Sequence, residues 1–316
     1  MTHAAPHRLT PATVALLLVP PLMWAANAVV GRLAAPWIPP VTLNWWRWAL
    51  AALVLWPLAR GVFSLSSPVW PAWRRFTLLG LLGMGSYNTL QYLALHTSTP
   101  MNVTLVAAST PLWMLVLGRL FFGAPLAPRA LLGALFSLGG VLVVLSQGHW
   151  ERLLLLRLVP GDGWMLLAAV VWAWYSWLLA RPSEPPDIRN HWAAFLLAQV
   201  GFGLVWSSAM AAGEWAWLQQ HPDGLLPTHI AWGWPLAGVL LFVALGPSVL
   251  AYRCWGAGVL RAGPTVASFF SNLTPLFAAL LSALFLGDAP KAFHGVAFVL
   301  MVCGIGISTS RPPNRQ

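Results

Sequence analysis

The side chains of this chain that could do chemistry are polar groups set into long apolar stretches, and their types limit that chemistry. Cys254 and Cys303 form no CxxC motif, and the histidines show no HExxH or similar ligand spacing. Ser86 and Ser248 lie near glycine, but no histidine or aspartate falls mid-stretch to activate either hydroxyl. We therefore predict no enzyme, no metal site and no cofactor, which leaves non-covalent binding.

The candidate binding residues are mostly arranged as stripes with helical spacing. Ser268, Ser271 and Asn272, for example, recur at i, i+3 and i+4, which places them on one helix face. The full set is Trp24, Asn27, Arg47, Tyr87, Asn88, Gln91, Tyr92, Trp172, Tyr175, Ser268, Ser271 and Asn272. A stripe facing lipid would cost several kcal/mol per unsatisfied group, so four stripes are expected to enclose a wet central cavity. Hydrogen bonding between helices is the alternative for each single residue.

Charged groups within the apolar stretches are few. No Asp or Glu falls in the middle of one, which argues against a carboxylate proton relay and against cationic drugs as ligands. Arg47 and Arg253 each lie roughly 10 Å deep, given a rise of about 1.5 Å per residue. Either arginine could extend its side chain to the membrane interface, or it could attract a substrate carboxylate.

The elements that must position these residues are membrane helices. Apolar residues make up 59% of the chain and charged residues only 8%, whereas soluble domains are about a quarter charged. Stretches of about 20 apolar residues span a bilayer. We predict ten, at residues 12–31, 41–60, 76–96, 101–121, 130–147, 163–181, 191–212, 235–257, 265–286 and 293–310.

An Ala26-Asn27-Ala28 step resembles a signal-peptide cleavage site, but charge placement favours an uncleaved first span.

The basic residues are distributed as membrane topology requires. The net charge of +10 would suggest nucleic acid in a soluble protein, but these residues lie singly beside spans, so we expect no nucleic-acid partner. Of the 17 Lys and Arg residues, an inside N-terminus places twelve near the cytoplasmic face, four outside and Arg47 within a span. This predicts a multi-pass membrane protein, in contact with the lipid bilayer and with both termini cytoplasmic.

One segment of the chain occurs twice, 164 positions apart. Residues 100–123 and 264–287 both begin with proline, contain Thr-Pro-Leu and end in glycine. Such a duplication is typical of a duplicated transporter half. We predict two repeats, 1–148 with spans 1–5 and 149–316 with spans 6–10. Since five is an odd number, the second repeat enters the membrane inverted.

Pro111 and Pro275 occupy the same place in the two copies. Each proline removes a backbone donor and clashes with the carbonyl four residues earlier, so each copy is predicted to kink near its midpoint. Matched kinks suit gating. Proline as an ordinary packing residue of a membrane helix is the alternative.

The chain resembles the ten-helix drug/metabolite transporters built from two EamA-type repeats. The resemblance covers almost the whole chain and rests on the Trp24 to Asn27 step, Arg47, the helices of Pro111 and Pro275, and the Leu-Phe-Leu-Gly-Asp run ending at Asp288. The family's fourth and ninth helices typically end in Glu, whereas this chain has Gly123-Ala124 and Asp288 there. The resemblance implies an all-α fold, the amino-acid and metabolite exporter branch, and a place in the bacterial inner (plasma) membrane.

The expected function is therefore export of a small neutral metabolite, with amino acids, including aromatic ones, first among them. Alternating access of two inverted halves about a central cavity is the expected mechanism. One chain supplies both halves, so a monomer is sufficient. The alternatives are a nucleotide-sugar or lipid-linked anionic cargo, which would need several basic groups in the cavity, and an intramembrane enzyme or a sensor.

Overall fold

The computed structural model describes residues 9–222, 224, 226–286 and 291–309, and these residues form helices with no β-strand. Asp288, which ends the Leu-Phe-Leu-Gly-Asp run after the ninth predicted span, lies outside these ranges. The long helices are α1 (Pro11–Ala34), α2 (Pro40–Leu55), α3 (Trp73–Gly80, a π-helical turn Leu81–Ser86, and Tyr87–Thr97), α4 (Pro100–Ala107 and Thr110–Phe121) and α5 (Pro128–Ser146). They continue as α6 (Pro160–Ala180), α7 (Trp192–Gln220), α8 (Trp234–Val243, a π-helical turn Ala244–Leu250, and Ala251–Ala262), α9 (Pro264–Ser271 and Thr274–Leu286) and α10 (Ala292–Thr309).

Eight of these helices are long and apolar enough to cross a membrane. The other two are α2, which has 16 residues, and α3, which Asn88 and Gln91 make less apolar. The described residues therefore form ten long helices in the order that the sequence predicted, and their composition confirms an all-α membrane protein.

The contacts between helices recur from one half of the chain to the other. Helix α3 packs on α6 as α8 packs on α1, and α4 packs on α6 as α9 packs on α1. Helix α2 pairs with its counterpart α7, and α5 pairs with α10. This reciprocal pattern is what two equivalent halves produce.

Helices α4 and α9 are both interrupted directly before their Thr-Pro pair. Ala108 and Ser109 separate the two segments of α4, and Asn272 and Leu273 separate those of α9, again 164 positions apart. Pro111 therefore lies in the first turn of a new helical segment, as does its counterpart in α9, where a missing N–H costs nothing. The kinks predicted from the prolines are present as these interruptions.

The carbonyl that each proline leaves unpaired is bonded by the preceding threonine. Thr110 Oγ1 donates to the Ala107 carbonyl at 2.6 Å, and Thr274 Oγ1 donates to the Ser271 carbonyl at 2.6 Å. Each accepting carbonyl is the one four residues before a proline. Because lipid offers no hydrogen bonds, these hydroxyls are what allow the interruptions to exist within the membrane.

The two π-helical turns also occupy equivalent places in the two halves. In α8 the turn contains Pro247, and the Val243 carbonyl four residues earlier accepts a bond from Ser248 Oγ at 2.8 Å. In α3 the turn contains Gly83 and Gly85. Such turns leave carbonyls that face neighbouring helices, and side chains of α2 and α8 bond to them, as described below.

Glycines determine how closely α5 and α10 approach each other. A Cβ on Gly133 would lie 2.6 Å from the Gly304 carbonyl oxygen, and one on Gly304 would lie 2.7 Å from the Gly133 oxygen. Gly139, on the same helix α5, has nothing within 4 Å of its Cβ position. Only some of the glycines in these helices are therefore required for packing.

We expect Gly133→Ala to destabilise the protein by about 1 to 3 kcal/mol, because the methyl group would separate the two backbones. Gly139→Ala is the matched control and should change stability by no more than about 0.5 kcal/mol. Unfolding of the purified protein in detergent micelles measures both. Equal destabilisation by the two substitutions would contradict this packing.

Candidate functional site

A cavity of about 720 Å³ lies among α1, α3, α4, α6, α8 and α9, and α2 and α5 contribute apolar residues to its lining. Its polar and aromatic lining residues are Trp24, Asn27, Tyr87, Asn88, Gln91, Tyr92, Thr104, Thr110, Trp172, Tyr252, Ser271, Asn272 and Thr274. At one end the lining includes the exposed residues Val29, Ala35 and Leu95, so the cavity opens there. The volume falls within the range of about 300 to 1,000 Å³ that is usual for small-molecule sites.

Aromatic rings form the inner end of the cavity. The Trp172 ring lies 5.3 Å from that of Trp24, 4.8 Å from Tyr87 and 5.5 Å from Tyr252, centroid to centroid. Trp255 lies behind them, 5.3 Å from Trp172. Such a wall offers both faces and edges of rings to a ligand, as suits an aromatic or apolar group.

Nine of the twelve predicted binding residues line this one cavity, together with Pro275. These nine are Trp24, Asn27, Tyr87, Asn88, Gln91, Tyr92, Trp172, Ser271 and Asn272. They come from α1, α3, α6 and α9, the four helices whose polar stripes predicted an enclosed cavity.

The other three predicted residues lie outside the cavity. Arg47 is 1% exposed and bonds through Nε to Ser248 Oγ at 2.9 Å and through Nη1 to Asn88 Oδ1 at 3.2 Å. Tyr175 is buried behind the aromatic wall, and its hydroxyl donates to Gln199 Oε1 at 2.9 Å. Ser268 is buried and donates to a carbonyl of its own helix.

The two proline positions also differ from each other. Pro275 lines the cavity, whereas Pro111 is buried and is absent from its lining. The two interrupted helices meet at Asn272, whose Nδ2 donates to Ser137 Oγ at 2.9 Å and to the Ala108 carbonyl at 3.3 Å. One amide from the interruption of α9 thus reaches into the interruption of α4.

The sequence analysis did not identify Thr104, Thr110, Thr274 or Tyr252 as lining residues. The sequence does contain patterns that point to Thr110, Thr274 and Tyr252. Thr110 and Thr274 each precede a proline within the repeat, and Tyr252 lies four residues after Ser248, which places both on one face of α8.

The cavity lining carries no charged side chain among the residues that the structure describes. Arg253 is exposed, and its guanidinium lies 4.2 Å from the centre of the Trp192 ring. Arg253 therefore lies at the protein surface, which agrees with a side chain that extends to the membrane interface. The described part of the lining therefore lacks the basic groups that a nucleotide-sugar or another polyanion would need.

The opposite end of the protein is closed by a network of arginines. Arg75, in the first turn of α3, bonds to Glu184 Oε1 at 2.9 Å and to the Leu178 carbonyl at 2.6 Å. Arg189 lies 3.6 Å from Glu184 Oε2. Burial lowers the pKa of Arg189, and the Glu184 carboxylate opposes that shift. The network joins a helix of the first half to the end of α6 in the second.

Opening of this end would require the Arg75–Glu184 pair to separate, so Glu184→Gln should favour opening. Ser176 is fully buried one turn beyond Trp172, toward the closed end. In a chain lacking Cys254 and Cys303, we expect Glu184→Gln to increase thiol modification of Ser176→Cys about tenfold, as loss of a charge-assisted hydrogen bond implies. Asp187→Asn, a change to an exposed acid of the same loop, is the control. Equal modification rates in the two variants would contradict this role.

Comparison with known proteins agrees with this architecture. The EamA-like transporter family matches residues 11–146 and again residues 159–310. A solved structure covers 95% of this chain and 96% of its own at 21% identity, with a TM-score of 0.70, which shows the shared fold.

Curated relatives of similar length carry transporter names. An uncharacterized transporter of Archaeoglobus fulgidus is 25% identical over 94% of this chain and 96% of its own. The aromatic amino acid exporter YddG of Ancylobacter novellus is 27% identical over 80% of each chain. A probable amino-acid metabolite efflux pump of Salmonella typhimurium is 25% identical over 93% of each. With its two family matches and its apolar helices, this chain is a multi-pass membrane transporter rather than an enzyme, and it belongs to the EamA-like transporter family.

Proposed function

We propose that this transporter exports small neutral metabolites, and amino acids with aromatic side chains in particular, by alternating access around the central cavity. The observation that carries the proposal is the lining of the cavity. Aromatic rings form its inner wall, amides and hydroxyls form its sides, and its described lining is uncharged. Such a surface favours a ligand with an apolar ring, a few hydrogen-bonding groups and no net charge.

The names of two relatives support the same substrate class. One is called an aromatic amino acid exporter and the other a probable amino-acid metabolite efflux pump. The rings of Trp24 and Trp172 are the feature of this chain that favours aromatic amino acids.

The charge distribution supports an orientation with both termini in the cytoplasm. In that orientation the cavity opens to the outside, and the Arg75–Glu184 network closes the cytoplasmic end. The structure then corresponds to one end of an alternating-access cycle. Exchange of the open and closed ends moves the substrate outward, and one chain is enough because it contains both halves.

The acidic residues favour facilitated diffusion over proton coupling through a carboxylate. Glu214, near the end of α7, accepts bonds from the backbone N–H groups of Val41 and Thr42 at 2.8 and 2.7 Å and so caps α2. Asp162, in the first turn of α6, accepts bonds from Asn102 and the Val159 N–H. Both acids hold helix ends in place and lie outside the cavity lining.

Counterflow in proteoliposomes tests the proposed function. Vesicles loaded with unlabelled L-phenylalanine should take up labelled L-phenylalanine, and L-tryptophan should compete better than L-glutamate or L-lysine. Absence of exchange for every amino acid would contradict the proposal.

Trp24→Ala should lower the exchange rate about tenfold, because the substrate ring loses a buried aromatic contact. Trp234→Ala is the matched control, since this tryptophan is 92% exposed and outside the cavity. We expect its exchange rate to equal that of the wild type. An equal loss in both variants would show that the Trp24 ring has no specific role.

A further inference from the structure

Two amide atoms in the cavity lining have no hydrogen-bond partner among the residues that the structure describes. They are the acceptor Asn27 Oδ1 and the donor Asn88 Nδ2. Asn88 is only 5% exposed, so its amide has little access to water. A buried amide without a partner is unfavourable, and a ligand group that supplies the missing bond is therefore favoured.

Arg47 fixes which end of the Asn88 amide faces the cavity. A guanidinium group has only donors, so the amide must present its oxygen to Arg47, and Oδ1 does accept from Nη1 at 3.2 Å. The Nδ2 donor is then left for the cavity. The Tyr252 oxygen lies near this amide and could accept from it, since its hydroxyl donates to the Gly83 carbonyl at 2.7 Å, but no hydrogen bond of ordinary length and angle joins it to Nδ2.

Within the described part of the chain, the charge of Arg47 is buried without a carboxylate partner. Its side chain bonds to Ser248 and Asn88, and the centre of the Trp48 ring lies 5.3 Å from the guanidinium carbon. The phenols of Tyr87 and Tyr252 are also close enough to interact with its charge, but they are neutral groups. The ion pairs among the described residues involve Arg75 and Arg189 instead. A buried cation in a low-dielectric region attracts negative charge, and the cavity beside Asn88 is where a ligand could bring it.

We propose that Asn88 Nδ2 binds the carboxylate of the substrate, with Arg47 as the positioning residue behind it, and that Asn27 Oδ1 accepts from the substrate ammonium group. This inference rests on the proposed function and names the chemical form of its substrate, a zwitterion. The aromatic wall then takes the side chain. A zwitterion has no net charge and so fits an uncharged lining, while its carboxylate bonds to Asn88 and its ammonium group bonds to Asn27.

Competition against wild-type exchange of labelled L-phenylalanine tests this inference without any substitution. Phenylalanine amide lacks the carboxylate charge and phenylpropionate lacks the ammonium group, while both keep the ring. We expect each to compete at least about tenfold more weakly than L-phenylalanine, because each leaves one charge-assisted bond unmade. Competition equal to that of L-phenylalanine by phenylalanine amide would overturn the role of Asn88.

A pair of isosteric substitutions tests the direction of binding. Asn88→Asp replaces the donor with a carboxylate, so it should weaken L-phenylalanine at least about tenfold and shift preference toward phenylalanine amide. Asn27→Asp adds the same charge on the ammonium side, so it should weaken competition by phenylpropionate, which has no ammonium group, without shifting preference from L-phenylalanine toward its amide. Arg47→Gln should reduce the discrimination between L-phenylalanine and its amide, which a purely structural role would not do.

The outcomes separate the two claims. Absence of amino-acid exchange by the wild type overturns the proposed function and this inference with it. Exchange by the wild type, with equal competition by phenylalanine amide or with the same shift in Asn88→Asp and Asn27→Asp, overturns only the inference. Should either variant fail to fold, the wild-type competition decides.

Discussion

A proline inside a membrane helix leaves a carbonyl without its hydrogen bond, and lipid offers no substitute. This chain meets that constraint three times with a neighbouring hydroxyl. Thr110 and Thr274 bond the carbonyls released in α4 and α9, and Ser248 bonds the one released in α8. The carbonyls released at these three places therefore all have a hydrogen-bond donor. The cavity lies beside them, since Thr110 and Thr274 both belong to its lining.

Hydrogen bonds connect the helix interruptions of α4 and α9 to each other, and they connect α2 to the π-helical turns of α3 and α8. Asn272 bonds from the interruption of α9 to the Ala108 carbonyl in α4. Helix α2 reaches both π-helical turns, because Asn44 Nδ2 donates to the Met84 carbonyl at 3.1 Å and Arg47, three residues on, donates to Ser248. A rearrangement at one of these points therefore changes the bonds at another. This connection is the physical basis on which we propose that the two halves exchange their open and closed ends together.

The helix order, the duplicated segment and the interruptions at the prolines could be predicted from the sequence, because each depends on residue types within a short stretch of chain. Polar stripes also identified nine lining residues, since helical spacing places them on one face. The exceptions depend on neighbours. Ser268 shares a stripe with Asn272 yet is buried outside the cavity lining, where its hydroxyl bonds to its own helix. Arg47 extends neither to the interface nor to the cavity, because Ser248 and Asn88 bond its guanidinium group. Spacing along one helix cannot reveal such partners.

Alternating access through this one cavity is the central claim, and thiol modification from each side of the membrane tests it most directly. Ala278 lines the cavity on α9. In a chain lacking Cys254 and Cys303, Ala278→Cys should react with a membrane-impermeant reagent in both right-side-out and inside-out vesicles, and L-phenylalanine should slow both reactions. Reaction from one face only, with or without the amino acid, would contradict the account.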